Sequence, residues 1–162
     1  MTDTKTEVNK WDGILDEYEN GLGLPKYQGW SMDENELNKY LTMSRTEIEK
    51  LDPEDCAQIS YRLGQFSFFI QRSSNREQAR HNWAEETIKN VIADEINSYK
   101  GYGYVEKSAQ AIKHNEKANN LYKISKYAKQ RMDRLYFLAA SVKNLSDIMI
   151  SIQRLKVSMK NG

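Results

Sequence analysis

The chain has 162 residues, with 24 Lys and Arg against 23 Asp and Glu, one Cys, two Pro and a formal net charge of +1. That length suits one domain with an arm, and a lone thiol excludes an internal disulfide framework or a cysteine-only zinc site. The opening Met1-Thr2-Asp3-Thr4-Lys5 lacks the regions of a signal peptide and no stretch reads as a membrane span, so a soluble cytoplasmic protein without membrane partners is expected.

Both prolines, Pro25 and Pro53, and the glycines Gly13, Gly21, Gly23 and Gly29 fall in the first third of the chain. Residues 1–30 therefore read as an irregular acidic stretch carrying Trp11, Tyr18, Tyr27 and Trp30 as docking rings. Ser31 with Glu34, and Ser44 with Glu47, have capping-box spacing and predict short helices near 33–43 and 45–51. Together these make an acidic arm over 1–52, followed by a helical body over 53–162. Asp52-Pro53 supplies a cap and a first-turn proline for a longer helix. Its apolar stripe is Cys56, Ile59, Leu63, Phe66 and Ile70, at spacings of three and four. Ser73-Ser74-Asn75 is a point where that helix can bend or stop. A further helical run turns Trp83 or Ala84, Ile88, Val91, Ile92 and Ile96 inward and ends in the turn Tyr99-Lys100-Gly101-Tyr102-Gly103-Tyr104.

From about 106 to 160 there is neither Gly nor Pro. A helix of about 50 residues would run about 75 Å, so it must pack on a partner, fold back or bend. Leu121, Ala128, Met132, Leu135, Ala139, Val142, Met149 and Ile152 form its stripe and are expected to mediate self-association, with Ala111, Ala118 and Ala140 permitting close approach. The expected fold is all-α: a long helical hairpin with an extended C-terminal helix and an irregular N-terminal arm, assembling into a homo-oligomer.

Catalytic and metal readings find no support. His81 and His114 lack the spacing of helical metal sites, Cys56 lies on an apolar face beside Glu54 and Asp55, and Gly101-x-Gly103 lacks the rest of a phosphate loop. Glu85-Glu86 has no evident companion. No catalytic residue, metal ligand or cofactor is assigned, and an enzyme is not expected.

The near-neutral sum hides a division. Residues 1–56 hold 14 acids and 6 bases, 57–106 hold 6 of each, and 107–162 hold 12 bases and 3 acids. Lys113, Lys117, Lys123, Lys126 and Lys129 crowd the terminal helix with Tyr122 and Tyr127 between them, and Lys100 and Tyr102 precede it. Lysines neutralise phosphates and rings stack on unpaired bases, which suits single-stranded nucleic acid better than duplex. The same face also fits a solvated or partner-binding surface. Arg72, Arg76 and Arg80, spaced by four, form a second basic edge that could meet phosphates or acidic neighbours.

The run Ile96-Asn97-Ser98-Tyr99-Lys100-Gly101-Tyr102-Gly103, then Tyr104-Val105-Glu106-Lys107-Ser108 and a long terminal helix, resembles the UvsY-type recombination mediators of T-even-like phages. The aromatic-rich helix upstream, Leu63 to Phe69, is similar too, and the resemblance covers about 60–160. It implies a small, helical, oligomeric, non-enzymatic protein that binds single-stranded DNA. It also implies two protein partners: a recombinase to be loaded and a single-strand-binding protein to be displaced. One departure stands out: the family has basic DNA-contacting residues just before the Tyr-x-Gly turn, where this chain has Ala93, Asp94 and Glu95. Contacts would then move to Arg72, Arg76 and Arg80, to Lys100, or to the lysines of 113–134. A structural or scaffolding oligomer whose acidic arm docks on a neighbour's basic helix is the alternative.

Overall fold

The computed structural model describes residues 4–24 and 33–160. Among them every regular element is helical: α1 (Thr4–Gly21), α2 (Glu34–Leu41), α3 (Arg45–Lys50), α4 (Pro53–Ile92), a 3-10 turn (Ile96–Ser98), α5 (Tyr104–His114) and α6 (Glu116–Lys160). Two compact units share the two long helices. One joins α1 to Ser74–Asp133, and the other joins α2 and α3 to 53–73 and 134–160.

Among the described residues the N-terminal arm is interrupted, with α1, α2 and α3 as separate helices, and its first segment, where the glycines suggest irregular chain, is an 18-residue helix. Gly13 and Gly21 sit inside α1 with open space around the position of a Cβ. Gly23 ends it with φ +72°, its N–H bonded to the Asn20 carbonyl and that of Leu24 to the Glu19 carbonyl, the two bonds of a Schellman stop. Tyr27, Trp30 and Ser31 lie outside the described residues. For α2 the cap is Asp33, whose carboxylate accepts from the N–H groups of Asn35 and Glu36. Ser44 and Glu47 form the expected capping box of α3. Asp52 Oδ1 accepts the Asp55 N–H at 2.8 Å, fixing the start of α4 at Pro53.

α4 runs unbroken through Ser73-Ser74-Asn75 because the serine hydroxyls have acceptors: Ser73 Oγ donates to the Phe69 carbonyl and Ser74 Oγ to that of Met132. The long Gly-free helix is instead divided at Asn115. This residue takes extended backbone, and its Oδ1 accepts the Ala118 N–H, so it ends α5 and caps α6.

In the second unit Leu37, Cys56, Ile59, Leu63, Phe66 and Ile70 close on Ala139, Val142 and Met149, with Leu135 and Ile152 packed against them. Full burial of residues such as Leu63, Phe66 and Val142 contributes about 1.5–3 kcal/mol each. The Cys56 thiol is buried there, and burial raises its pKa, with Asp55 and Asp52 adding to the effect. Ser60 and Ser146 hydroxyls meet at 3.0 Å and Ser67 Oγ donates to the Ala139 carbonyl, so α4 and α6 run antiparallel in this unit. In the first unit Ile88, Ile92, Ala111, Ala118 and Leu121 form the core, with Trp83, Val91 and Ile96 at its edge.

The stripe assigned to self-association is therefore used within the chain. Leu121, Ala128, Ala139, Val142 and Met149 are buried by the chain's own packing, Leu135 and Ile152 flank the second core, and Met132 is half-buried with its carbonyl taken by Ser74. Apolar exposure lies elsewhere on α6: Phe137 is 70% exposed, Ile148 45% and Leu155 65%. This double-sided apolar character gives α6 an 18-residue stretch of mean hydropathy 1.3, long and apolar enough to cross a membrane by length and composition alone. The expectation that no stretch approaches such a span does not hold.

Candidate nucleic-acid interface

The Arg edge belongs to the protein's own acids. Arg72 is buried. The Arg76 side chain is only 10% exposed, and its guanidinium pairs with Asp16 at 2.8 Å and Glu19 at 3.1 Å. Arg80 holds Asp12 through two contacts of 2.8 and 3.0 Å and Glu77 at 2.8 Å. Burial alone would lower the Arg80 pKa, but Asp12 and Glu77 outweigh it and raise the pKa, so the charge is secure. Lys117 pairs with Glu7 at 3.2 Å, and Trp11 stacks on Trp83 with ring centres 5.9 Å apart and planes 14° apart. The acidic neighbours foreseen as an alternative for this edge are thus α1 itself.

That contact is imperfect. Glu7 Oε2, Trp11 Nε1 and Arg80 Nε are buried without a hydrogen-bond partner among the described residues, and all three lie where α1 meets the rest of its unit. Each such atom costs about 1–3 kcal/mol of desolvation. α1 contributes no residue to either buried apolar cluster among the described residues. Ion pairs and a ring stack link it to α4 and α6, with Val8 and Leu15 half-buried beside them.

The aromatic turn is a small structure of its own. Tyr99 stacks on His114 with centres 5.8 Å apart, Gln110 Nε2 donates to the Lys100 carbonyl at 2.8 Å, and Glu106 Oε2 accepts the Tyr102 N–H at 3.0 Å. A Cβ on Gly101 would meet that of Glu106 at 3.1 Å, so the close approach favours glycine. Tyr102 stands fully in solvent, and Lys100 and Lys113, the latter near the end of α5, are exposed.

The α6 row is different again. Leu121, Ser125 and Ala128 are buried, and the side facing away from them carries Tyr122, Lys123, Lys126, Tyr127 and Lys129, all exposed. Lys126 Nζ rests 4.8 Å from the centre of the Tyr122 ring, a cation–π contact that keeps the ring and charge together. Lys123 and Lys129 have no ion-pair partner among the described residues, whereas Arg131 is taken by Glu77 at 3.0 Å. Between Lys117 and Arg134 the only acid in sequence is Asp133.

Spacing along the sequence gives neither His81 nor Glu85 a partner, and the fold supplies one to both. His81 Nδ1 lies 2.9 Å from Ser125 Oγ, and that hydroxyl donates to Glu85 Oε1. The serine, fully buried, sits in the middle with its hydroxyl hydrogen-bonded to the carboxylate, so the cluster ties α4 to α6 in this unit. The signal available beforehand was spacing: Ser60, Ser67, Ser74 and His81 recur every seven residues. No group of three or more metal-ligating side chains is gathered among the described residues.

Compared with protein-family models, curated proteins and solved structures, the chain matches none.

Proposed function

We propose that this is a non-enzymatic protein that binds single-stranded DNA through the exposed face of α6 and acts as a recombination mediator. The observation that carries this reading is the contrast in charge pairing. α1 acids neutralise Arg76, Arg80 and Lys117, while Lys123, Lys126 and Lys129 stand exposed among tyrosine rings. Lysine heads contact phosphates and release counterions, and Tyr122 and Tyr127 offer faces on which any unpaired base can stack. The resemblance adds a recombinase and a single-strand-binding protein as partners, and a host-cell cytoplasm as the setting. Titrating labelled single- and double-stranded oligonucleotides at two salt concentrations tests it. Single strands should bind better than duplex, with affinity falling steeply in the higher salt. No binding to either at low salt would sink the reading.

A second reading, a scaffolding homo-oligomer, is favoured by the exposed Phe137, Ile148 and Leu155 on α6. Its proposed acidic arm on a neighbour's basic helix has less support, since α1 already pairs with bases of its own chain. Self-association and DNA binding use different stretches of α6 and are compatible in one protein.

A further inference from the structure

The α1 contact has an unusual composition for an intramolecular docking. One ring, Trp11, stacks in an offset, near-parallel arrangement on Trp83. Beside it, carboxylates of Asp12, Asp16 and Glu19 follow one side of a helix and meet Arg80 and Arg76 in turn. At 1.5 Å rise per residue the first two are about 6 Å apart along the axis. Glu7 adds a fourth carboxylate on Lys117. A flat ring on a tryptophan and a regular row of anions on guanidinium and ammonium groups are the contacts that a single strand of nucleic acid makes with its binding proteins.

We infer that α1 is an internal stand-in for a single strand, occupying a second, masked nucleic-acid site made of Trp83, Arg76, Arg80 and Lys117. Carboxylates take the places of phosphates, and Trp11 takes the place of a base. The inference extends the reading of the α6 face by adding a site that only a displaced α1 opens. Two further observations fit it. A 340 Å³ cavity lined by Glu7, Lys10, Trp11, Ile14, Trp83 and Thr87 opens beside the ring pair, so the neighbourhood of Trp83 is accessible before α1 moves. Glu7 Oε2 and Trp11 Nε1, buried atoms of two residues that line that cavity, have no hydrogen-bond partner among the described residues, so α1 is a less than ideal occupant. A competitor that fits imperfectly is one that a better ligand can displace, and the site's apparent affinity is scaled by the fraction of chains with α1 released.

The test compares full-length proteins by fluorescence anisotropy with labelled oligothymidylate at low salt. The variant Asp12→Asn/Asp16→Asn/Glu19→Gln keeps side-chain shape but removes the anion row. A charge-matched control, Glu17→Gln/Glu54→Gln/Asp94→Asn, alters exposed acids away from the contact. The first should bind about tenfold tighter than wild type, the control within about twofold, and adding Arg76→Gln/Arg80→Gln to the first should erase the gain. Circular dichroism checks that helix content is kept. If the triple variant does not fold, Trp11→Ala is the milder release and should also tighten binding. A release variant that binds no better than the control overturns the masked site. The α6 reading is scored separately by Lys123→Glu/Lys126→Glu/Lys129→Glu in the wild-type background: tightening on release with no effect of those lysines would keep the masked site and remove the other.

Discussion

Lys123, Lys126 and Lys129 differ from Arg76 and Arg80 in what stands opposite them. The arginines face carboxylates in partly dry surroundings, where removing one partner strands a buried charge, so Arg76→Ala should destabilise the first unit by about 3 kcal/mol in denaturant melts. An effect below about 0.5 kcal/mol would mean that the pair is a surface contact only. The lysines face water, and their replacement should leave stability nearly unchanged. Glu36 shows the same physics in the second unit. Hydrogen bonds from Arg62, and from Tyr40 at 2.8 Å, hold its carboxyl down to about 2 from the ordinary 4.5, and burial together with the bond to Glu36 pushes the Tyr40 phenol up to about 12. As pH falls, the unfolded chain takes up the proton first. The stability from Glu36 is therefore complete above its ordinary value and is lost as pH drops through about 2. Denaturant midpoints of wild type and Glu36→Gln should differ at neutral pH and converge near pH 2. A gap that stays constant with pH contradicts this account.

At the scale of elements, α1 is the helix that composition concealed. Gly13 and Gly21 read as breakers, but what marks the helix end is Gly23 followed by Pro25, a stop signal of a different kind. Because a Cβ at Gly13 meets nothing within 4 Å, Gly13→Ala should stabilise α1 by about 0.5–1 kcal/mol, seen as added helicity and a later thermal transition. Loss of helicity would show that the site is tighter than its geometry. The capping boxes and the stripe from Cys56 to Ile70 were legible because their signals are local. The division at Asn115 was missed because asparagine caps a helix only when its backbone leaves helical angles, which spacing does not reveal. The basic and aromatic residues of 122–129 could be read as one face, since helical periodicity alone places them together. That Arg76 and Arg80 were occupied could not be read, because their partners lie some 60 residues away in sequence. The seven-residue repeat of Ser60, Ser67, Ser74 and His81 was readable, and its hydroxyls and imidazole proved to be the polar seam facing α6 in each unit.

For the molecule as a whole, the sorting of charge along the chain has become a set of specific pairings. Five carboxylates of the acidic beginning, Glu7, Asp12, Asp16, Glu19 and Glu36, meet bases of α4 and the start of α6, and Lys123, Lys126 and Lys129 are left exposed. The terminal helix has likewise exchanged one apolar role for another: its expected stripe is internal, and Phe137, Ile148 and Leu155 remain outside. If these three join copies of the chain, Phe137→Asp/Leu155→Asp should lower the mass measured by light scattering while helix content is kept. Leu135→Asp, at the core, should instead cost stability. A mass unchanged by the outer pair would remove self-association through that row. The central claim is that the unpaired lysines of α6 hold single-stranded DNA, and anisotropy with a labelled oligonucleotide at low salt measures it most directly. Lys123→Glu/Lys126→Glu/Lys129→Glu should weaken binding at least about 100-fold with the fold intact, and an affinity equal to wild type would contradict the claim.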